Sequence, residues 1–320
     1  MMVASSDLMY ITATTTMATN VNTISVTAEV VIIQDAITGI VIPGTYNDTG
    51  QVYWPDAGGV LQRNNFGVNN AVLFPAVARC YYCKVYTSGG LFEEQNMFSS
   101  EIIEYDLVNA ESRVIANMTT ARNRHSMACY AEKLLYICGG HNSVTYELAS
   151  CEVCHIPTGV CQLVAPMPVS KSNQAALVLN GQMYIAGGEN QAVFRYDISK
   201  DEFSTLAVSL LKHSQFPGLV HLNGTRLLLC GGFVGCEIYT IATNTWALST
   251  PLNSERMFFG MVLYHGDVYA VGGFNSIIGG TAEVERYNVA NDTWTTISRS
   301  LVVRTDNTQT AVSVEKWCSK

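Results

Sequence analysis

A short apolar run that ends in Gly-Gly recurs five times along this chain of 320 residues. The doublets begin at Gly89, Gly139, Gly187, Gly231 and Gly272, so successive ones are 50, 48, 44 and 41 residues apart. Each run is too short and too rich in β-forming residues for a helix, which predicts a buried strand ended by the glycines. A repeat at this spacing indicates an array of similar structural units.

Aromatic residues seven positions apart follow the later doublets. The pairs are Tyr196 and Phe203, Tyr239 and Trp246, and Tyr287 and Trp294, and Cys154 and Cys161 take these places after Gly139. Polar turn-forming residues lie between the two members, which predicts a hairpin. Because the aromatic residues recur at the same places, we interpret them as core that packs adjacent sheets.

A further apolar strand precedes each doublet, as at residues 175–179 and 260–264. One repeat therefore holds four antiparallel strands. Units of four strands that repeat every 40 to 50 residues indicate the blades of a β-propeller, an all-β fold that leaves few sheet edges exposed.

The pattern resembles the kelch family over about residues 60–310. The shared features are the doublet at the end of strand two, a tyrosine on strand three, a tryptophan on strand four and a basic residue that opens strand one. The resemblance implies a single six-bladed kelch-type propeller over residues 1–320. The expected blades are residues 304–320 plus 1–45, then 46–118, 119–167, 168–209, 210–252 and 253–303.

The two ends of the chain are predicted to share the first blade. Residues 8–13 resemble a strand two without its glycines, and residues 34–41 resemble a strand three and four hairpin. Residues 310–314 resemble a lone strand one. We expect this last strand to complete the first blade, which would close the ring, and we interpret residues 46–68 as an enlarged loop entering blade two.

Composition excludes several functions. The net charge of −8, from 26 acidic and 18 basic residues, argues against nucleic-acid binding. No apolar run is long enough to span a membrane, and the first residues lack the features of a secretory signal. Ten cysteines are too few for a disulfide scaffold at this length, and we attribute four Asn-x-Thr sequences to chance. We therefore expect a reduced, cytoplasmic protein that stands alone as a propeller.

The cysteines allow two further interpretations. Cys80 with Cys83 and Cys151 with Cys154 form CxxC pairs, which are known from zinc sites. These pairs lie in different blades, and His155 beside Cys154 should point to the opposite side of an extended strand. No metal site is therefore predicted. A disulfide between Cys154 and Cys161 is geometrically conceivable, whereas Cys138 and Cys230 are interpreted as small buried apolar residues.

Motifs for catalysis and cofactor binding are absent. Neither GxGxxG nor GxxxxGK[ST] occurs, and neither does GxSxG or HExxH. The six histidines are scattered over the repeats. Some kelch-like propellers are enzymes, including a copper oxidase and bacterial sialic-acid mutarotases, but no matching motif is found here. We therefore predict no catalytic residue and no cofactor.

The residue that opens strand one is the best candidate for a binding site. Aligned on the doublets, this position holds Arg122, Lys171 and Arg256, with Ser214 in blade five, Arg304 before the last strand and Arg63 for blade two. In animal kelch adaptors, arginines at this place bind acidic peptides through bidentate bonds, so the resemblance implies a basic mouth of the central channel. The alternative is that these residues pair with neighbouring acids or cap their loops.

Loops that follow the doublets should lie on the same face. Phe92, Phe233 and Phe274 at their tips are candidate apolar anchors for a partner. The sequence thus predicts a non-catalytic module or scaffold that binds a protein partner, such as an acidic peptide or loop. Two alternatives stay open. One is an enzyme that acts on a small molecule such as a sugar in the central pocket, and the other is a structural subunit of a larger assembly.

Overall fold

The computed structural model describes residues 27–28, 39–42, 51–53, 62–63, 66–67, 75–81, 84–92, 96–106, 111–264, 266–277, 279–304 and 312–314. These residues form β-strands joined by turns and short irregular segments. In this part of the chain no helix is long and apolar enough to cross a membrane.

Five antiparallel sheets with four main strands each follow one another along the chain, and we number these propeller blades two to six. The predicted bounds of blade two, 46–118, are too wide, because Gln51–Tyr53 and Gln62–Arg63 belong to another sheet. Blade two contains Ala76–Tyr81, Lys84–Ser88, Glu101–Asp106 and Glu111–Asn117, and blade three contains Ser126–Tyr130, Leu134–Cys138, Cys151–His155 and Val160–Val164. Blade four contains Gln174–Leu179, Gln182–Gly187, Phe194–Asp197 and Glu202–Thr205, and blade five contains Gly218–Leu222, Arg226–Cys230, Cys236–Thr240 and Thr245–Ser249. Blade six contains Gly260–Tyr264, Asp267–Val271, Gly279–Asn288 and Thr293–Arg304. First strands of successive blades contact one another, so they are the inner strands of the propeller.

Short hairpins extend from three blades directly after the doublet. Leu91–Phe92 pairs with Met97–Phe98 in blade two, and His141–Asn142 pairs with Tyr146–Glu147 in blade three. In blade six, Phe274–Asn275 pairs with the beginning of the third strand. These hairpins project the loops that the sequence predicts to form one face.

The doublets of blades two to five each join their blade to the next one. The second glycine donates its N–H to the carbonyl of the residue that opens the next blade, as from Gly140 to Lys171 at 2.8 Å and from Gly90 to Arg122 at 2.9 Å. Gly139 has φ +69°, and a Cβ atom at this position would lie 2.4 Å from the Lys171 carbonyl oxygen. A glycine is needed here both for the backbone conformation and for the close approach of the blades.

The predicted hairpins carry their aromatic residues directly opposite each other. Tyr239 pairs with Trp246, and their ring centroids are 5.0 Å apart. The Tyr239 hydroxyl donates to Asn244 Oδ1 at 2.8 Å, and the same oxygen accepts the Ala207 N–H of blade four. The pairs in blades four and six repeat this arrangement with Asp201 and Asp292. The aromatic hairpins therefore pack the core and also fasten each blade to the one before it.

The terminal segments form another four-stranded sheet, in the order Val312–Val314, Gly39–Ile42, Gln51–Tyr53 and Gln62–Arg63. Gly39 pairs with Val314, and Val41 pairs with Val312. The interpretation of residues 46–68 as a loop is wrong, because two strands of this sheet and Phe66–Gly67 fall within them. These strands have only two or three residues and lack both the doublet and the aromatic pair, so the repeat pattern misses them. The predicted strand at residues 8–13 lies outside the described residues.

All eight cysteines within the described residues are paired as disulfides. The pairs are Cys80 with Cys129, Cys138 with Cys151, Cys154 with Cys161, and Cys230 with Cys236. Cys138 and Cys230 are buried as predicted, but each is bonded to the strand beside it. The expectation of a reduced protein therefore disagrees with the structure.

Candidate functional site

The connections that enter the first strands and the hairpins that follow the doublets meet at one end of the blades. Asn123, before the first strand of blade three, forms a bridge with His141. Met257 forms the equivalent bridge with Phe274 in blade six. Both groups of loops therefore surround one entrance of the space between the inner strands, as the sequence predicts.

The basic residue of blade three lies inside the protein. Arg122 has no exposed side-chain surface, and it donates to the carbonyls of Gly139 at 2.8 Å and Ser150 at 3.0 Å. Its other terminal nitrogen donates to Glu152 Oε1 at 2.8 Å. Burial lowers the pKa of Arg122, while the charge of Glu152 opposes this shift. Arg122 ties three segments of its own blade together and offers no donor to a partner.

Arg256 repeats the arrangement in blade six. It is buried, donates to the carbonyls of Gly272 and Glu283 at 3.0 Å each, and forms an ion pair with Glu285. The carboxylate of Glu285 also accepts the N–H of Asn253 at 2.7 Å. The partner-binding role predicted for Arg122 and Arg256 is therefore wrong. The alternative from the sequence, that these residues pair with neighbouring acids, describes them.

Lys171 is buried at the same place in blade four, but no carboxylate in the described part of the chain pairs with it. Its ammonium donates to the Asn190 carbonyl, to Asn190 Oδ1 and to the Ala192 carbonyl at 2.7 to 3.0 Å. Phe194 occupies the position of the acidic residue, and the ammonium lies 5.8 Å from the centre of its ring. Burial lowers the pKa of Lys171 from 10.5 to about 8. Lys171 is thus structural as well, and the predicted docking role does not hold.

His213 fills this position in blade five, whereas the sequence alignment selects Ser214. The His213 ring is buried between the Gly231 carbonyl at 2.7 Å and Glu237 Oε1 at 2.9 Å. Ser214 is half-buried, and its N–H bonds to the Lys212 carbonyl. The selection of Ser214 is wrong by one residue, because the connection before Gly218 is one residue longer than in blades three and six.

The remaining two basic candidates are described by their backbone alone. Arg63 is in the last strand of the terminal sheet, opposite Gln51, and not at the entrance of blade two. Arg304 ends the fourth strand of blade six, opposite Thr281. The structure therefore does not bring the six predicted residues together as a basic ring.

The three predicted aromatic anchors are only half-buried, and other residues project further. Phe92, Phe233 and Phe274 have intermediate exposure. In the hairpins of blades three and six, Tyr146 is 74% exposed and Ile277 is 90% exposed. These two side chains are better placed to contact a partner than the predicted phenylalanines.

Four residues with positive φ surround the entrance, one in each of blades three to six: Arg124, Asn173, Phe216 and Phe258. Each follows the buried residue of its blade by two or three positions. The Asn173 N–H bonds to the Arg124 carbonyl at 2.9 Å, and the Phe216 N–H bonds to the Asn173 carbonyl at 3.2 Å. We call these four residues the axial mouth. These four residues were not predicted from the sequence, although their short distance from the buried residue of each blade is a usable signal.

The axial mouth has an aromatic side and a polar side. On the aromatic side, the rings of Phe216 and Phe258 are in contact, with centroids 5.1 Å apart. On the polar side, Asn173 Nδ2 donates to Glu189 Oε1 at 2.7 Å. The two sides come from different blades, because blades three and four contribute polar residues and blades five and six contribute phenylalanines.

His141 and Glu147 border the polar side. The His141 ring stacks against Tyr146 at 4.6 Å, and Glu147 accepts the Ser172 hydroxyl at 2.8 Å. Burial lowers the pKa of His141 and the charge of Arg124 adds to this effect, while Glu147 and Glu189 oppose it. His141 therefore lies near both positively and negatively charged side chains, and its lowered pKa favours the neutral ring.

An axial cavity of about 100 Å³ lies between the inner strands. Blades three and four line it with His125, Ser126 and Gln174, and blades five and six line it with Phe216, Pro217, Phe259 and Met261. Among the described residues that line it there is no carboxylate. The Nε2 atom of His125 is bonded to the Ser88 hydroxyl at 2.8 Å, and burial lowers its pKa well below 6.5.

One group of potential metal ligands occurs among the described residues. It consists of Glu152, Cys154 and Cys161. The two sulfur atoms are bonded to each other, and Glu152 pairs with Arg122 and accepts the Thr119 N–H. Each potential ligand is thus already engaged, and the group does not fit a metal ion.

Comparisons with known proteins point to one family. The Kelch motif family matches residues 255–299, which form blade six. The chain is 24% identical over 236 residues to Kelch-like protein 38 of Mus musculus, covering 70% of this chain and 40% of that protein. It is 26% identical over 238 residues to Kelch-like protein 25 of Xenopus tropicalis, covering 68% and 39%. The chain thus spans about two fifths of the length of these relatives.

Two further matches are shorter or more distant. F-box protein AFR of Arabidopsis thaliana is 38% identical over 83 residues, covering 24% of this chain and 22% of that protein. The solved structure of YjhT superimposes with a TM-score of 0.62 at 12% identity, over 73% of this chain and 86% of that one. The similarity to YjhT shows a shared propeller fold.

Proposed function

We propose that this chain, a kelch-repeat protein, is a non-catalytic interaction module that binds a loop or peptide of another protein at the axial mouth. The observation that carries the proposal is the exposure of Tyr146 and Ile277 on the face that surrounds the mouth. Large exposed apolar side chains on rigid hairpins are typical of protein interfaces. The Kelch-like relatives support the same class of function.

The structure changes the expected chemistry of the partner. An acidic peptide was predicted from a basic ring, but Arg122, Lys171 and Arg256 are buried and their donors are engaged. At the mouth itself, the positive charge of Arg124 and the negative charges of Glu147 and Glu189 all act on His141, with opposite effects on its pKa. We therefore propose a partner that places an apolar side chain on the aromatic side and a hydrogen-bonding or cationic group on the polar side.

A small-molecule enzyme is less well supported. That alternative needs a carboxylate or a histidine that is free to act in the central pocket. His125 is the histidine of the cavity, and its Nε2 atom is bonded to Ser88 inside the protein. No carboxylate is among the described residues that line the cavity, so this part of the lining offers binding surfaces and no acid–base pair.

We also propose that the terminal sheet is blade one, which brings the number of blades to six and closes the propeller. Two observations support this. Val312–Val314 pairs with Gly39–Ile42, and the same strand contacts the inner strands of both blade two and blade six. A closed ring would hold the axial mouth rigid, which lowers the entropic cost of binding.

The docking proposal is tested by capture of partners from cells with two matched variants. Tyr146→Ser with Ile277→Ser removes apolar surface from the mouth face. Leu163→Ser with Leu248→Ser removes exposed apolar surface from outer strands. We expect the first variant to lose partners that the second variant retains. Equal recovery of the same proteins by both variants would refute docking at this face.

A further inference from the structure

The pairing of cysteines is the feature that neither the fold nor the proposed function explains. The three disulfides within blades join residues that lie directly opposite each other on neighbouring strands, as Cys138 does with Cys151 and Cys230 with Cys236. The fourth disulfide joins the first strand of blade two to the first strand of blade three through Cys80 and Cys129. The pairs thus recur in separate places, and none of the eight described cysteines is left over.

Core packing alone does not require this arrangement. At the place of Cys154 and Cys161, the three following blades have Tyr with Phe or Trp, which fill the same site without sulfur. A metal ion is not favoured either. Among the described residues, Cys154 and Cys161 have one further potential ligand, Glu152, and that carboxylate is engaged by Arg122. Structural disulfides persist where the surroundings are oxidising and are rare in a reducing cytosol.

A second and independent feature points to the same surroundings. Three of the four Asn-x-Thr sequences lie within the described residues, and Asn117, Asn223 and Asn291 are all exposed. Asn223 is in the turn between the first two strands of blade five, where it accepts the Thr225 hydroxyl at 2.7 Å. Asn291 is in the turn between the last two strands of blade six. Exposed turns are the places where N-linked glycans are tolerated.

The positions of Asn223 and Asn291 are compatible with the proposed docking face. Turns between strands one and two, and between strands three and four, lie at the end of a blade opposite the loops that follow the doublets. A glycan on Asn223 or Asn291 would therefore extend away from the axial mouth.

We propose that this propeller matures in an oxidising secretory compartment, where its four cysteine pairs form disulfides and Asn223 and Asn291 accept N-linked glycans. Each disulfide forms from two thiols, which lose two protons and pass two electrons to a disulfide oxidant of that compartment. Glycan transfer uses a lipid-linked oligosaccharide as donor. The asparagine amide nitrogen loses a proton and bonds to the anomeric carbon, the bond from that carbon to the diphosphate oxygen breaks, and the lipid diphosphate leaves. The proposal replaces the cytoplasmic location expected from the sequence.

The test uses the full chain isolated from the cells that naturally make it, with N-ethylmaleimide added at lysis under denaturing conditions. After reduction, a second and distinguishable thiol label is added. We expect N-ethylmaleimide on at most two cysteines, Cys83 and Cys318, and the second label on the other eight. Peptide N-glycosidase in heavy-oxygen water should convert Asn223 and Asn291 to labelled aspartate. More than two cysteines labelled before reduction, or an unconverted asparagine at either position, would overturn the proposal.

Two controls define the labelling. The same chain made in a reducing bacterial cytosol and kept under reductant should take the first label on all ten cysteines. The variant Cys154→Ala with Cys161→Ala, produced through a secretory pathway, should take the second label on six cysteines instead of eight. Docking at the axial mouth is tested by a separate experiment. The docking proposal and the disulfide and glycan proposal can therefore fail independently of each other.

Discussion

The clearest test of how the blades are joined is the substitution Gly139→Ala. Gly139 has φ +69°, and its Cβ would lie 2.4 Å from the Lys171 carbonyl oxygen and 2.7 Å from Gln174 Nε2. Lys171 and Gln174 belong to the entrance of the next blade. The substitution therefore pushes blade four away from blade three and strains the Gly140 to Lys171 hydrogen bond.

Two costs contribute to the expected loss of stability. An alanine at positive φ costs about 1–2 kcal/mol. Forcing a methyl group into a filled junction adds about 1–3 kcal/mol. Gly224→Ala is the matched control, because Gly224 has φ +74° and a Cβ there would meet no atom within 4 Å. We expect a loss of about 2–5 kcal/mol for Gly139→Ala and only the conformational cost for Gly224→Ala.

The assay is chemical denaturation followed by circular dichroism, with both variants compared to the parent chain. Gly139→Ala should lower the denaturation midpoint clearly more than Gly224→Ala does. If the two substitutions lower the midpoint equally, the steric argument for the doublets fails. The positive φ of the glycines would then account for the whole effect.

Three further predictions concern buried polar groups. Arg122→Met should lower the unfolding free energy by about 3–5 kcal/mol because Glu152 is left unpaired. Adding Glu152→Leu should restore part of this loss. If the losses of the two single variants simply add in the double variant, as measured by denaturation, the pairing has no energetic role. Burial lowers the pKa of Lys171 to about 8, so the unfolded state binds more protons than the folded state between pH 8 and 10. The unfolding free energy should therefore rise with pH across that window. Lys171→Met should remove this rise, and an unchanged dependence of unfolding free energy on pH would refute the role of Lys171. The pKa of His125 is held well below 6.5, so stability should fall as the pH drops below 6.5, and His125→Gln, which copies Gln174 of blade four, should show a smaller fall in thermal unfolding. Equal acid sensitivity of parent and His125→Gln would count against it.

The parts of the fold that repeat could be predicted from the sequence, because the same residue type does the same work in every blade. The glycine doublets have one role at each junction, and Tyr239 with Trp246 or Tyr287 with Trp294 has one role in each core. The terminal sheet could not be predicted in the same way. Its strands are two to four residues long and carry neither signal, so only the last strand was expected at its observed place.

The loops that the sequence predicts to share one face do lie together, but the basic side chains predicted to bind a partner there are buried. A basic residue that recurs at one position looks like a shared binding feature, whereas the structure buries it. An acid pairs with it in blades three and six, and Asn190 and backbone carbonyls hold it in blade four. The acids were visible in the sequence, since Glu152, Glu237 and Glu285 each precede the strand-three core residue by two positions. The exposed tips at Tyr146 and Ile277 could not be distinguished from Phe92 or Phe274 by composition, because exposure depends on how each hairpin folds back.

The proposal of a single closed propeller is tested most directly by removing the last strand. A chain that ends at residue 304 lacks Val312–Val314, and a control that ends at residue 314 keeps it. We expect the first truncation to lower the thermal midpoint of the whole propeller and to increase amide exchange in the first strands of blades two and six, with little change in the control. A chain ending at residue 304 that is as stable and as protected as the parent would contradict closure by the terminal sheet.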